Sequence, residues 1–471
     1  MRGLLTSSIG VTCAAALTLP ALALTVPSAA AAPAERATTT GDGPAGTTAL
    51  PGSTRSLPLA PRTGGRLLGE APEQGLYRDD LAHFSLVGVS WDNPGTELHG
   101  VVQVRTRSVA TGRWTGWQDV DTHNADHGAD PDTAEARSGR VHGGTAPLWV
   151  GESDGVDVRV RAEPDDDPGP RGSTPTGGHD LLPAGLRLEL VDPGEADPGE
   201  ADPGEADPGA EAPPQAPQGP QAGVTYTEAD ASAAVNTDLA PFGATEIPAL
   251  DQQDTEDELA VLTGVTRLKP HIGARPKIVT RRGWGADETL REKGFVYTGK
   301  VKAAFVHHTD SGNGYKCSQA SSVIRSIYRY HVKTMGWRDI GYNFLVDKCG
   351  GIYEGRAGGV SKAVRGAHTL GFNNNSMGIA VLGTFDSHKP PAAAVTAIAR
   401  LTAWKLGLFG ANPKGKTYLK SGGGNLYPKG KNVRLNVISG HRDGYSTECP
   451  GAKLYARLGS ARTSSARLQG R

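Results

Sequence analysis

Apolar and polar residues alternate with period two in a series of short runs between residues 80 and 192. Phe84-Ser85-Leu86-Val87-Gly88-Val89 and Val102-Gln103-Val104-Arg105 come first. Leu148-Trp149-Val150, Val156-Asp157-Val158-Arg159-Val160 and Leu186-Arg187-Leu188-Glu189-Leu190 follow, with turn signals at Thr111-Gly112 and Asp154-Gly155. Successive side chains of a strand point to opposite faces, so such runs are half-buried strands. They predict a small all-β, sandwich-like domain over 80–192. Its tryptophans, Trp114 and Trp117 among them, are expected in the core, and it shows no catalytic constellation of its own.

From Pro276 the pattern becomes mixed. Residues 303–308 read as a buried strand, and Val323, Ile324, Ile327, Tyr328, His331 and Met335 recur at helical spacing. On that apolar stripe His331 is expected to be core. Strands over 342–347 and 352–355 meet at Gly350-Gly351, a hairpin signal. Residues 377–385 and 433–438 read as further strands. Residues 392–408, with Val395, Ile398, Leu401 and Leu408, and residues 452–458 read as helices. This predicts an α/β domain over 276–471, with a central mixed β-sheet flanked by helices.

The remaining segments lack such patterns. Residues 33–79, rich in Gly, Pro, Thr and Arg, are expected to be disordered. Residues 193–275 begin as an acidic linker, where Asp-Pro-Gly-Glu-Ala repeats with period five, and end in a pre-domain segment. Within it Leu259-Ala260-Val261-Leu262 has helical character. Residues 1–32 resemble an export signal: Arg2, an apolar stretch over 11–26, then Ser28-Ala29-Ala30-Ala31-Ala32. The stretch is diluted by Thr and Pro and falls short of the ~20 apolar residues a span needs. Cys13 lies inside the stretch, not after it, which disfavours lipid modification. No later segment is apolar enough to span a bilayer. A secreted, extracellular protein is expected, in a form that can associate with the cell wall.

Charge sharpens this picture. The net charge is -1, yet residues from Pro276 onward hold 31 Lys and Arg against 10 Asp and Glu. A basic C-terminal domain suits an anionic polymer. For an exported protein that polymer is cell wall and not nucleic acid.

Candidate chemistry centres on His307, His441 and Cys449. Catalytic zinc takes three protein ligands and leaves one position open. His307 ends a strand, where a side chain can project into a cleft. Neighbouring strand residues face opposite sides, so only one of His307 and His308 can serve. His441 and Cys449 stand eight residues apart in a segment of turn composition. Taken alone, a His-Cys pair leaves other readings open, a cysteine nucleophile among them. Without Cys13, an odd number of cysteines remains: Cys317, Cys349 and Cys449.

A resemblance narrows the choice. Phe305-Val306-His307-His308-Thr309, Asp339-Ile340-Gly341-Tyr342-Asn343-Phe344 and Tyr353-Glu354-Gly355-Arg356 are similar to segments of one family. So are Gly366-Ala367-His368-Thr369 through Asn373 to Ser376-Met377-Gly378-Ile379, and Gly440-His441-Arg442-Asp443 leading to Thr447-Glu448-Cys449-Pro450-Gly451, with Trp284-Gly285-Ala286 as the entry segment. Over about 276–460 the chain resembles the peptidoglycan recognition protein and type-2 N-acetylmuramoyl-L-alanine amidase family, which includes phage lysozyme-type amidases. The resemblance implies Zn2+ held by His307, His441 and Cys449, with Tyr342 as a catalytic tyrosine and Thr447 stabilising the reacting oxygen. It implies that His368, Asn373 and Arg356 line the substrate groove. It further implies hydrolysis of the amide between N-acetylmuramic acid and L-alanine, with peptidoglycan as the partner. Recognition-only members typically lack the thiolate, so Cys449 favours catalysis over binding. Cys317 and Cys349 are then expected to form a disulfide; the alternative makes them further metal ligands. Closing that loop contributes about 3–4 kcal/mol by chain entropy. The chain is expected to act as a monomer.

Overall fold

The computed structural model describes residues 52–62, 72–163, 182–195, 227–264 and 270–471. The expected export signal over 1–32 and most of the acidic repeat lie outside the described residues.

The N-terminal part is one antiparallel sheet. It comprises β1 (Ser53–Pro58), β2 (Ala60–Pro61), β3 (Glu73–Arg78), β4 (Phe84–Trp91) and β5 (Gly100–Ser108). It continues with β6 (Gln118–Val120), β7 (Gly143–Gly144), β8 (Leu148–Ala162) and β9 (Arg187–Asp192). The strand order is β1-β9-β4-β8-β3-β2, with β5 on β8 and β6, and β7 on β4. β8 is long because it serves three partners. Its first half pairs with β4, and its second half with β3 and β5. Inward side chains from both halves, including Val87, Val102, Val158 and Leu190, fill one core.

Two expectations change here. β1, β2 and β3 fall within residues 33–79, which were expected to be disordered. β1 reads Ser-Thr-Arg-Ser-Leu-Pro and has no apolar alternation; it is an edge strand held by six-residue pairing with β9. Backbone hydrogen bonding, which leaves no trace in hydropathy, makes it a strand. Trp114 and Trp117 are half-buried and outside the core. Trp114 stacks on Tyr77 at 5.5 Å, and Trp117 lies under the guanidinium groups of Arg105 and Arg159.

The C-terminal part opens with α1 (Glu228–Ala234), β10 (Glu246–Ile247) and α2 (Gln252–Thr263). Asp251 caps α2 by accepting from the Asp254 amide, and Gly264 ends it in the left-handed region. Then come β11 (Ile278–Val279), β12 (Ala303–His308) and α3 (Ala320–Arg329), which runs on into a π-helical turn at Tyr330–Thr334. β13 (Phe344–Val346), β14 (Ile352–Glu354), β15 (Ser376–Val381) and α4 (Ala392–Leu408) follow. A hairpin of β16 (Lys416–Lys420) and β17 (Asn432–Asn436) leads to β18 (Ile438–Gly440), α5 (Ala452–Tyr455) and α6 (Leu458–Leu468). The main sheet runs β10-β11-β14-β13-β15-β12-β18 and is mixed: β12 lies parallel to β15 and β18, β13 antiparallel to β14. Ile398 and Leu401 of α4 share a core with Ala304, Val306 and Ile379. Val323, Ile324 and Ile327 of α3 share another with Leu345 and Ala380.

That second core also contains Leu86, Trp149 and Val191 of the β domain, so the two sheets are joined by buried apolar surface. Gly88 of β4 is needed for this contact. A Cβ there would lie 2.6 Å from the Tyr330 ring, whose hydroxyl donates to the Thr145 carbonyl at 3.0 Å.

Candidate metal centre

Strand alternation places His307. Ala304 and Val306 of β12 face α4, so Ala303, Phe305 and His307 face the other way. His441 directly follows β18, which lies beside β12, and opens a 3-10 turn over His441–Asp443. The chain then folds back, closed by the Arg442 amide donating to the Cys449 carbonyl at 3.0 Å. Cys449 Sγ thus comes 3.7 Å from His307 Nδ1, and the His307 and His441 rings stand 4.5 Å apart. All three side chains are buried. His308 points elsewhere, its Nδ1 accepting from the Phe385 amide at 3.3 Å. Cys317 and Cys349 form the expected disulfide, and Cys449 is free.

These donors suit a divalent cation. Neither ring nitrogen of buried His441 has a hydrogen-bond partner. Burial lowers the His307 imidazole well below its usual value and His441 to about 3, so both present neutral nitrogen at pH 7. Burial also pushes the Cys449 thiol well up, so only a bound cation can make it the thiolate ligand. Metal uptake is therefore expected to release about one proton per chain, with affinity rising as pH rises. Calorimetric titration in buffers of different ionisation enthalpy reads this directly; uptake with no proton release would exclude Cys449 as a ligand.

The other residues singled out in the sequence gather around these three. The Tyr342 ring is buried 5.5 Å from His307, and burial, then Cys449, raises its hydroxyl well above 10. Thr447 Oγ1 accepts from the Cys449 amide at 3.1 Å. His368 Nδ1 lies 3.3 Å from His307 Nε2 and 3.0 Å from Thr369 Oγ1, a contact that fixes the orientation of the His307 ring. Gly378 makes room for His368: a Cβ there would lie 2.4 Å from its ring. Asn373 Oδ1 accepts from the His368 and Thr369 amides at 2.7 and 3.1 Å. Arg356 donates to the Ile340 carbonyl at 2.8 Å. His331 is core, packed on Trp337 at 4.4 Å.

Sequence reasoning missed part of the site. Residues 121–142, between β6 and β7, have no regular structure and lie against the α/β domain. His127 joins His307, His441 and Cys449 in one group whose ligand atoms all lie within 4.8 Å of one another. Asp126 Oδ1 lies 2.8 Å from His127 Nδ1, and Asp126 Oδ2 lies 3.6 Å from His441 Nδ1. Burial raises the Asp126 carboxyl, but the facing His127 and His441 more than reverse this. Glu135 forms a two-pronged pair with Arg356 at 2.8 and 2.9 Å, and Asn373 Nδ2 donates to Gly128 O and Asp130 Oδ1. The one available signal was a His- and Asp-rich stretch between strands without alternation, Asp121-Thr122-His123-Asn124-Ala125-Asp126-His127. A cavity of about 350 Å³ reaches Asp126 and Thr447, but His307, Tyr342 and Cys449 do not line it. A larger one of about 820 Å³ sits at the disulfide, away from every candidate catalytic residue, so volume does not mark the site.

Comparison with known proteins agrees with both halves. Residues 37–178 match a family model described as Rv3811 N-terminal galactose-binding domain-like, and residues 297–452 match one described as N-acetylmuramoyl-L-alanine amidase. The chain is 30% identical over 183 residues to peptidoglycan-recognition protein SC2 of Drosophila simulans, covering 38% of this chain and 84% of that protein. It is 37% identical over 122 residues to human peptidoglycan recognition protein 3, covering 26% and 34% respectively. Among solved structures, wild-type Drosophila PGRP-LB is 28% identical, with coverage of 39% and 92% and a TM-score of 0.31. With the first of these relatives matched over most of its length, and the amidase model matched across the segment that carries His307, His441 and Cys449, the chain belongs to the peptidoglycan recognition protein and type-2 amidase family.

Proposed function

We propose that the chain is a secreted, zinc-dependent N-acetylmuramoyl-L-alanine amidase, which cleaves the amide between the lactyl group of N-acetylmuramic acid and L-alanine in peptidoglycan. The observation that carries this reading is the convergence of His307, His441 and Cys449 in a buried site where neither nitrogen of His441 has a hydrogen-bond partner. A recognition-only protein has no use for a buried thiol on two imidazoles. Residues 276–471 form the catalytic domain in this reading, 1–32 the export signal, and the acidic residues of 193–275 the spacer. Among the described residues no helix is long and apolar enough to cross a membrane.

His307, His441 and Cys449 hold the zinc. Zinc bound by such ligands supplies Lewis acidity and lowers the pKa of an attacking water toward ~7. His368 and Thr369 keep the His307 ring in its liganding orientation. Tyr342 stays protonated at neutral pH, so its hydroxyl orients the attacking oxygen and relays that water's proton, giving its own to the departing L-alanine nitrogen and taking the water's in its place. Thr447, its oxygen anchored by the Cys449 amide, places a hydroxyl proton for the developing oxyanion. Arg356 and Asn373 bind the polar stem peptide.

The test is product analysis of purified peptidoglycan incubated with the zinc-loaded full chain and with its His127→Ala variant. New L-alanine amino termini and free glycan strands are expected, lost on chelation and restored by zinc. Stoichiometric binding by both chains with no bond cleaved would overturn the assignment in favour of recognition alone.

A further inference from the structure

We propose that His127 of the β domain is a fourth protein ligand of the metal, and that residues 121–142 are a built-in inhibitor which seals the site until displaced. The proposal rests on the metal-dependent amidase reading above.

The geometry at His127 is that of a ligand. Its side chain is 8% exposed, its Nε2 is buried without a hydrogen-bond partner, and the residue belongs to the group of four whose ligand atoms lie together. Its other nitrogen is engaged: Nδ1 donates to Asp126 Oδ1 at 2.8 Å. Metal-ligating histidines are characteristically held this way, one nitrogen hydrogen-bonded to a carboxylate and the other left bare. The ring packs 4.7 Å from His441, 5.3 Å from His307 and 5.9 Å from Tyr342. It fills the space where an attacking water and a scissile carbonyl would have to sit.

Counting donors gives the consequence. Zinc sites that catalyse keep a position open, whereas four-ligand sites are closed and structural. With His127 the site offers three imidazoles and one thiolate, a closed set. The same segment occupies the rest of the groove. Glu135 takes Arg356, Gly128 and Asp130 take Asn373, and the Asp126 carbonyl accepts from the Leu370 amide at 3.0 Å. Arg356 and Asn373, both assigned to the stem peptide, are thus satisfied by the chain itself. The β domain docks through Leu86, Trp149 and Val191 on other elements, with Val141 at the segment's own end packed on the same core, so the stretch from Asp126 to Glu135 can lift while the two sheets stay joined. Unstructured connections of this length are uncommon in a compact fold, and active-site lids are one of the functional roles they serve.

The experiment compares the zinc-loaded full chain with His127→Ala and His127→Cys. X-ray absorption at the zinc edge counts imidazoles and sulfurs around the metal, and peptidoglycan cleavage is measured on the same samples. Three imidazoles with one sulfur are expected in the parent, two with one sulfur and an added light ligand in His127→Ala, and two with two sulfurs in His127→Cys. Cleavage should rise about tenfold or more in His127→Ala, as the competent fraction rises, and stay low in His127→Cys, which restores a fourth ligand. Two imidazoles in both the parent and His127→Ala would overturn the ligand assignment. Equal cleavage by parent and His127→Ala would overturn the inhibition. No cleavage by any chain, with imidazole counts as expected, would instead sink the amidase reading and leave the fourth ligand standing.

Discussion

Cys449→Ala is expected to abolish peptidoglycan cleavage, by a factor on the order of 10³ or more, because the metal loses its anionic ligand. Cys449 is 4% exposed and surrounded by imidazoles, so its thiol ionises only against a cation. A site left with neutral imidazoles binds zinc far less tightly. If four ligands share the ~10–16 kcal/mol typical of structural zinc, losing one lowers affinity by on the order of a hundredfold or more. Metal analysis after dialysis against a weak chelator should show the loss, and product analysis should show cleavage at background. Both belong in the His127→Ala chain as well as the parent, so that a closed site does not hide the result. Cys449→His is the informative companion, since it supplies a ligand without a nucleophile. Partial zinc retention with partial cleavage supports a ligand role. Undiminished cleavage by Cys449→Ala would overturn it. Complete inactivity of Cys449→His despite full zinc occupancy would point to a nucleophilic cysteine.

How much of this was legible in the sequence depends on what kind of force places each residue. Elements placed by burial were readable. The helix read at 392–408 from its apolar spacing is α4 with the same bounds, and the buried run at 303–308 is β12. His307 at the end of that strand followed from position, and Cys317 with Cys349 as a disulfide followed once the resemblance gave Cys449 to the metal. Elements placed by backbone pairing or by polar contacts were not. β1 is held by its ladder to β9, and α6 extends well beyond the helix read at 452–458 because Leu458 and Ala461 pack on α4 through a polar-looking sequence. The site itself divides the same way. His441 and Cys449 share one segment, so their proximity is local. His127 reaches them only because a separate sheet docks through Leu86, Trp149 and Val191, and no local pattern encodes that docking. The β domain therefore read as chemically silent although it supplies one of the four buried donors.

The largest stability effect is expected from Glu135→Ala, at about 3–5 kcal/mol. Glu135 and Arg356 are 4% and 5% exposed, and their carboxylate and guanidinium meet through two bonds at 2.8 and 2.9 Å. Removing the carboxylate leaves a buried guanidinium with carbonyl partners alone, which costs more than the pair contributes over an apolar replacement. Glu135→Leu with Arg356→Met should accordingly recover most of the loss, while eliminating the groove's arginine. Burial raises the Glu135 carboxyl, but Arg356 outweighs it and brings the carboxyl below its ordinary value. A carboxyl depressed in the folded state binds its proton more readily when unfolded, so its contribution is complete above the unfolded value near ~4.3 and is lost as pH falls through the folded one. The parent chain should therefore lose stability in that acidic window, and Glu135→Ala should lose less there. Denaturant unfolding at neutral pH and across the acidic range measures both. A loss under about 1 kcal/mol at neutral pH would mean that the pair is solvated and that residues 121–142 are not seated on the groove. A loss of the expected size, with the acid sensitivity removed, would mean that a carboxylate of the β domain occupies Arg356, and that peptidoglycan must displace it to bind there.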